Sequence, residues 1–240
     1  MNATIQIIRK ATIPAIILLA ACAAQAVTVN VPGTSNPYLA GMPNGTGARD
    51  LDLAPAQSPV LAPVGLPSGY WVEFSNATGL VTNHTPYPDP DPTFLYDFQA
   101  GPEGEVSYVA SHLSGSEWGK SDILAPIVGL LGVFLDASAP VDPPPPALLF
   151  QTAAQRDYLT LSPSLKQVFY IGDGQAGGTP QKVYVPAGAT RLYLGVMDGY
   201  NWYNNLGSFN VDVNVVPEPA TMMLLAVGAG VALLRRRHRS

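Results

Sequence analysis

TRLYLGVM at residues 190–197 and SFNVDVNVV at residues 208–216 are the two stretches that decide the fold class. In the first, Leu192, Leu194 and Val196 fall on one face of an extended chain, and in the second, apolar and polar residues alternate from position 209 to 215. Side chains of a β-strand point alternately to opposite faces, so this period of two is typical of half-buried antiparallel strands. The segment between the two strands predicts a hairpin loop of about ten residues.

The remaining sequence favours strands over helices. The chain has 23 glycines and 24 prolines in 240 residues, about a fifth of the positions, where roughly 12% is usual. This composition argues against long helices and for strands joined by turns. We expect a polar turn around Asn76, a stiff proline connector at 142–146 and one short helix at 151–161.

These elements predict an all-β fold, a single antiparallel β-sandwich over residues 69–215. Residues 27–68, rich in Pro and Gly, form a lead-in or edge strands in this interpretation. Besides the strands at 190–197 and 208–216, we expect strands at residues 69–74, 93–98, 105–111, 127–136, 167–171 and 182–185.

The charges are unevenly distributed. Residues 27–219 hold all 17 acidic residues and 6 of the 12 basic ones, a formal charge of −11, whereas the whole chain has −5. Nucleic-acid binding needs a basic surface for the phosphates, so this segment excludes a nucleic-acid partner and favours cations.

The N-terminus has the order of a secretory signal peptide at residues 1–26: two basic residues at 9–10, an apolar run at 11–21, and Ala24 and Ala26 as a small-residue cleavage site for signal peptidase. The sequence LAAC ending at Cys22 also resembles the lipobox of bacterial lipoproteins, in which the cysteine is acylated. Cys22 is the only cysteine. Cleavage after Ala26 therefore leaves an exported domain that depends on its core and not on disulfides.

The C-terminus, residues 216–240, combines three features in a fixed order. Pro217, Glu218 and Pro219 precede an apolar run at 220–234, and a basic tail at 235–240 closes the chain. Fifteen helical residues rise about 22 Å, so this run spans a bilayer core of roughly 30 Å only with help from its margins.

This arrangement resembles the PEP-CTERM sorting signal of Gram-negative bacteria. The resemblance implies that exosortase, a membrane protease, recognises the tripeptide and removes the helix. After this transient membrane anchoring the protein would be released to the cell surface or extracellular matrix. An ordinary tail anchor is the alternative interpretation.

Signatures of catalysis are missing: the chain has no GxSxG elbow, no HExxH, no P-loop and no dinucleotide fingerprint. His84 and His112 are the only histidines between the targeting segments, and a single histidine is more often packed or solvated than catalytic. We do not expect an enzyme.

The densest group of polar residues lies between the predicted strands at 190–197 and 208–216. Asp198, Asn204 and Asn205 offer a carboxylate and two amide oxygens, and the carbonyls of Asn201 or Trp202 lie between them. Oxygen ligands of low charge suit Ca²⁺, which takes six to eight oxygens at roughly 2.3–2.6 Å. A polar hairpin whose Asn and Asp side chains merely cap the turn is the other interpretation.

Three aromatic residues accompany these oxygens: Tyr200, Trp202 and Tyr203. If exposed, they form a platform on which sugar rings could stack. The alternative is that they cover one end of the sandwich.

Residues 104–214 resemble the galactophilic bacterial lectins of the PA-I type, most specifically over the last thirty. The residues that carry the resemblance are VPAGATRLYLG at 185–195, then Asp198, Asn204 and Asn205, then Gly-Ser-Phe at 207–209. Those lectins are small jelly-roll-like β-sandwiches that bind galactose through a bridging Ca²⁺.

The resemblance implies side-chain calcium ligands at Asp198, Asn204 and Asn205, a loop carbonyl at Asn201 or Trp202, and a further carbonyl at Trp118. The loop is one residue shorter than in the lectins, and their sugar-contacting His and Gln have no counterpart between positions 120 and 133. Calcium is therefore better supported than galactose.

The expected function is an exported surface or matrix protein with a Ca²⁺-dependent site for a polysaccharide or other glycan. Two alternatives stay open. One is a structural biofilm protein with no small ligand, and the other is a lipoprotein anchored through Cys22.

Overall fold

A computed structural model describes residues 26–83 and 98–218. Several predicted features lie outside these ranges: the apolar runs at 11–21 and 220–234, the first five residues of the strand predicted at 93–98, and the residues Cys22, Ala24 and Pro219.

The larger sheet has six strands in the described chain. They are β1 Val27–Pro32, β3 Tyr70–Asn83, β4 Phe98–Ala100, β9 Thr160–Leu161, β13 Lys182–Tyr184 and β15 Leu206–Pro217. Their order is β1-β15-β3-β13-β9, with β4 also paired to β3. β15 lies antiparallel to both β1 and β3, and β3 is the central strand of this sheet, paired with β15, β13 and β4.

The second sheet has four strands: β2 Val60–Leu61, β7 Leu130–Leu135, β10 Val168–Tyr170 and β14 Arg191–Val196. Their order is β10-β7-β14-β2. Smaller sheets are formed by β5 Glu105–Ala110, β6 Ile123–Ile127 and β8 Leu148–Leu149, and by β11 Gln175–Ala176 with β12 Thr179–Pro180. Among residues 26–83 and 98–218, the helical elements are α1 Ala153–Arg156 and two 3₁₀ turns, Pro37–Leu39 and Trp202–Asn204.

A single hydrophobic core joins the two main sheets. Alternate residues of β15, Phe209, Val211 and Val213, are buried in it together with Leu192 and Leu194 of β14. The ring of Phe74 in the larger sheet lies 6.5 Å from that of Phe169 in the second sheet. The all-β prediction is confirmed for the described residues, because the period of two in the sequence buries one face of each strand.

The predicted hairpin between the two opening strands is wrong. β14 belongs to the four-stranded sheet, whereas β15 belongs to the six-stranded sheet. Residues 197–205 therefore cross from one sheet to the other. Alternation predicts which face of a strand is buried, but it does not predict which neighbour the strand pairs with.

One turn prediction and one strand prediction also need correction. Asn76 does not end a strand, because β3 continues to position 83 and takes up the extra residue as a β-bulge opposite β15, with Asn76 at φ 50°. Of the strand predicted at 127–136, residues 130–135 form β7 in the four-stranded sheet, whereas residue 127 ends β6, which belongs to another sheet. The chain turns between them at Val128, which has φ 55°, and Gly129.

The predicted helix at 151–161 is shorter than expected. Only α1 is helical, with Thr152 and Gln155 forming a capping box at its start, and residues 160–161 form β9. The segment 27–68 contributes β1 at the edge of the larger sheet and the buried 3₁₀ turn at Pro37–Leu39. This segment also reaches the candidate site.

Candidate functional site

The crossing segment between β14 and β15 buries most of its polar residues. Asp198 and Asn205 are 2% and 3% exposed, Asn201 is buried, and Asn204 is half-buried. Gly207, at the start of β15, has φ 83°, and a Cβ there would lie 2.1 Å from the carbonyl oxygen of Leu80. Only glycine allows β15 to approach β3 so closely directly after this segment.

Asp198 uses only one of its carboxylate oxygens in hydrogen bonds. Its Oδ1 accepts from the backbone N–H of Gly199 (2.6 Å) and of Tyr200 (3.3 Å) and from Asn83 Nδ2 (2.7 Å). Its Oδ2 is buried and accepts no hydrogen bond within the described chain. Burial raises the pKa of Asp198 to about 7, and the nearby Asn205 side chain acts in the opposite direction. The Asn205 amide Nδ2 itself donates to Gly33 O at 3.1 Å.

Three amide oxygens are also buried without a hydrogen-bond donor, as Asp198 Oδ2 is. The Oδ1 atoms of Asn201, Asn204 and Asn205 are buried, and no donor in residues 26–83 or 98–218 reaches them. An unpartnered buried oxygen costs about 1–3 kcal/mol. Four such atoms, all acceptors, within residues 198–205 fit a cation, because a cation satisfies several oxygens at once.

Acidic side chains alone do not supply such a site. The described residues contain no group of three or more His, Cys, Asp or Glu side chains placed to hold a metal ion. A cation at this segment would therefore depend on the amide oxygens together with Asp198, a ligand set of low charge that fits Ca²⁺ better than transition metals.

The carbonyls expected as ligands already have hydrogen bonds. Asn201 O accepts from Asn204 N at 3.2 Å, and Trp202 O accepts from Asn205 N at 3.1 Å. Trp118 is 41% exposed and has φ 49°. It lies in a separate turn, closed by backbone hydrogen bonds between Glu117 and Lys120.

The expected aromatic platform needs one correction. Trp202 is fully buried, and its Nε1 donates to Val196 O at 2.7 Å, so its ring cannot stack on a sugar. The indole instead supplies apolar area that anchors the crossing segment in the core. Tyr200 and Tyr203 are each 40% exposed and are available on the surface.

A surface groove begins at the candidate site. Its volume is about 460 Å³, and Asp198, Gly199 and Tyr200 form one side of it. Tyr108 and Leu113 also line the groove, with 48% and 78% of their surface exposed. The groove therefore offers both polar atoms and aromatic faces beside Asp198, whereas Asn201, Asn204 and Asn205 do not line it.

Sequence reasoning missed Asp52. Its Oδ2 accepts from Trp202 N (3.0 Å) and from Asn36 Nδ2 (2.9 Å), and its Oδ1 accepts from Tyr203 N (2.9 Å). Burial, and then the charge of Asp50, raise the pKa of Asp52 to about 6. No sequence pattern identifies the contacts of Asp52 with Trp202 and Tyr203, since about 150 residues separate them.

His112 lies in a second buried polar cluster. Its Nδ1 is 2.8 Å from Gly115 O, and its Nε2 is 3.6 Å from Asp50 Oδ2 and 3.9 Å from Glu117 Oε2. The imidazole stacks on Tyr38 with the ring centroids 4.2 Å apart. Burial lowers the pKa of His112, but hydrogen bonds and the two acids outweigh this and raise it. His112 is thus a packed core residue whose Nδ1 contacts Gly115 O and whose Nε2 lies near two carboxylates without a hydrogen bond in the described chain.

The sorting motif begins where the sheet ends. Pro217 is the last residue of β15 and pairs with Tyr70, and Glu218 follows without regular structure. Ala26 is exposed directly before β1. No helix among the described residues has the length and apolarity needed to cross a membrane.

Comparison with known proteins identifies one segment. Residues 215–237 match the family model of the PEP-CTERM protein-sorting motif. The chain carries a PEP-CTERM sorting signal. This confirms the prediction at the C-terminus and makes the protein an exported, membrane-transiting substrate of exosortase sorting. No curated protein and no solved structure matches the chain, so no relative and no fold match confirms the lectin-like resemblance.

Proposed function

We propose that this exosortase-sorted protein binds Ca²⁺ at the crossing segment 198–205 and, through that site, a polysaccharide at the cell surface or in the extracellular matrix. The observation that carries the proposal is the set of four buried oxygens without donors: Asp198 Oδ2 and the Oδ1 atoms of Asn201, Asn204 and Asn205.

Calcium satisfies this set in a way that the protein alone does not. Ca²⁺ accepts six to eight oxygens in flexible geometry, so the four side-chain oxygens leave positions for carbonyls, waters or ligand hydroxyls. When bound, the ion would supply coordination positions for vicinal hydroxyls of a sugar. The formal charge of −11 on residues 27–219 further favours a cation.

The carbohydrate half of the proposal rests on the surface beside these oxygens. Asn204 is half-buried and Tyr200 and Tyr203 are exposed, so the site meets solvent on their side. The groove lined by Tyr108 and Tyr200 provides amphipathic rings of the kind that pack against sugar faces.

Calorimetric titration tests the metal. Full-length protein, purified in mild detergent and stripped with a chelator, is titrated with CaCl₂ and, separately, with MgCl₂. We expect saturable heat with calcium that Asp198→Asn abolishes and Asp212→Asn preserves. The two variants remove the same charge, but Asp212 lies on the exposed face of β15. No heat with the native chain, or equal heat from both variants, would contradict calcium binding.

A glycan array tests the ligand. The labelled protein is applied in CaCl₂ and in EGTA, and binding should require calcium and weaken in Tyr200→Ala. An array that stays blank in calcium, while the calorimetric heat is present, would instead support a calcium-stabilised structural matrix protein.

A further inference from the structure

Two aspartates of the N-terminal segment hold the crossing segment from outside. Asp50 Oδ2 accepts from Asn201 N at 3.4 Å, and Asp52 accepts from the next two backbone amides, those of Trp202 and Tyr203. Three successive N–H groups thus donate to two carboxylates. These amides precede Asn204 and Asn205, whose oxygens are unpartnered.

We propose that Asp52 is a positioning residue for the calcium ligands of 198–205, and that Asp50 supports it. This inference rests on the proposed calcium binding. Asp52 is not a ligand in this arrangement, because its carboxylate already accepts three hydrogen bonds. Its contribution is to fix the backbone on which Asn204 and Asn205 are mounted.

The local backbone shows that both aspartates are held in place. Leu51 between them has φ 69°, a left-handed conformation that a leucine rarely adopts, and its side chain is 75% exposed. Asp50 and Asp52 are 0% and 1% exposed. The chain therefore exposes a leucine in an unfavourable conformation, and both carboxylates face inward. Such strain persists only where the surrounding contacts determine it.

The far end of the crossing segment is fixed independently. Asn201 adopts φ 62° directly before the 3₁₀ turn, and Asn205 Nδ2 donates to Gly33 O. Asn36, which binds Asp52, also accepts from Tyr38 N at 2.8 Å. Residues 33–52 therefore form a second wall of the site, with Asp52 as its direct contact to the 3₁₀ turn.

Electrostatics give the two aspartates a second effect on a cation. The crossing segment has only Asp198 as a formal charge, and its other side-chain oxygens belong to neutral amides. Carboxylates just outside the ligand set strengthen the negative potential without occupying coordination positions. Outer partners of this kind typically change metal affinity by about 10–100-fold when mutated.

The test compares calcium affinities of the full-length protein in detergent. Asp52→Asn keeps the side-chain shape. Its amide NH₂ group cannot accept a hydrogen bond, so one of the backbone N–H groups that the carboxylate accepts from loses its acceptor. We expect at least a tenfold loss of calcium affinity, on the order of the outer-partner effects above. Asp50→Asn should give a smaller loss, because its bond to Asn201 N is longer. Asp157→Asn, an exposed acid on another face, serves as the matched charge control.

A spectroscopic measurement separates positioning from general stability. Tb³⁺ replaces Ca²⁺, and its luminescence lifetimes in H₂O and D₂O report how much water the ion coordinates. If Asp52 positions the ligands, Asp52→Asn should let more water reach the ion, whereas a merely structural role would lower the melting temperature with the lifetimes unchanged. If Asp52→Asn does not fold, Asp50→Asn is measured in the same way.

The outcomes distinguish the two proposals. If the native protein gives no calcium heat, calcium binding and the role of Asp52 both fall. If it binds calcium, and the affinity and Tb³⁺ lifetimes of the folded aspartate variant match those of Asp157→Asn, only the role of Asp52 is overturned.

Discussion

Asp198 and Asp212 lie fourteen positions apart, each with asparagines near it in sequence, and their surroundings are opposite. Asp212 is on the solvent face of β15, where Thr28 Oγ1 and Asn76 Nδ2 donate to its two oxygens. These hydrogen bonds lower the pKa of Asp212. Asp198 is buried with one oxygen unpartnered, and burial raises its pKa to about 7.

The asparagines nearby differ in the same way. On the sheet, Asn210 Oδ1 accepts from Asn30 Nδ2 at 3.0 Å. In the crossing segment, the Oδ1 atoms of Asn204 and Asn205 have no donor in the described chain. Composition does not distinguish an Asn- and Asp-rich sheet face from an Asn- and Asp-rich site. Hydrogen-bond satisfaction does, because four buried acceptors without donors lie within residues 198–205, whereas on the polar face of β15 only Asn214 Oδ1 is in that state among the described residues.

The largest expected effect is the loss of stability when the tryptophan that anchors the crossing segment is removed. Trp202→Ala should lower the free energy of unfolding by about 3–5 kcal/mol. Trp202 is fully buried, packs edge-on against Tyr38 with centroids 5.9 Å apart, and donates to Val196 O. Trp71→Ala on the larger sheet should cost less, because Trp71 is only half-buried beside Tyr184. Urea denaturation measures both, and equal losses would show that the crossing segment is not anchored by its indole.

The next expected effect is a loss of calcium-induced stability in Asn204→Ala, which is compared with Asn210→Ala on the sheet. At a calcium concentration of about 100 times the dissociation constant, the native protein should gain about 2.7 kcal/mol. Asn204→Ala should lose about half of this gain, since a tenfold weaker affinity is about 1.4 kcal/mol. Without calcium the same variant should be no less stable than the native protein, because it removes an unpartnered oxygen.

Asn210→Ala is the control for that experiment. It removes a satisfied amide of the sheet, so the calcium-induced gain should be unchanged. Denaturation curves of the native protein, Asn204→Ala and Asn210→Ala, each with CaCl₂ and with EGTA, give the six free energies of unfolding. A loss of stability in Asn204→Ala that is the same with and without calcium would indicate that the two regions do not differ in function.

The alternating sequences of β14 and β15 were sufficient to predict an all-β fold, because the period of two follows directly from strand geometry. They also placed Asp198, Asn204 and Asn205 on one connection. They could not show that this connection joins two sheets, since strand pairing depends on partners far along the chain. The same limit applies to the strand predicted at 127–136, because its apolar run gives no sign of the turn at Val128 that separates β6 from β7.

The second wall of the site was beyond sequence reasoning for a related reason. Residues 33–52 show no hydrophobic period, and Asp50 and Asp52 do not stand out among the 17 acidic residues. Their role depends on backbone amides about 150 residues away. The burial of Trp202 was equally hidden, because an aromatic residue in a polar loop is compatible with a surface platform and with a core anchor.

The smallest expected effect per step of the titrated variable is a difference in the pH dependence of stability between the two aspartates. A carboxyl whose folded pKa is raised is protonated in the folded state at pH values where the unfolded state has lost the proton. The stability that Asp198 contributes in the absence of calcium is therefore full below its ordinary pKa of 3.8 and is lost as the pH rises towards about 7. The lowered pKa of Asp212 has the opposite sign, so its contribution is present above its ordinary pKa and is lost as the pH falls.

Denaturation of the native protein, Asp198→Asn and Asp212→Asn between pH 4 and 8 in EGTA checks these signs. A single proton gives a slope of at most about 1.4 kcal/mol per pH unit. Relative to the native protein, Asp198→Asn should lose a downward slope between about pH 4 and 7, whereas Asp212→Asn should keep it. Saturating calcium should flatten the native slope, because the ion holds Asp198 ionised in the folded state. A native slope that calcium does not alter would mean that the buried carboxylate lies outside the metal site.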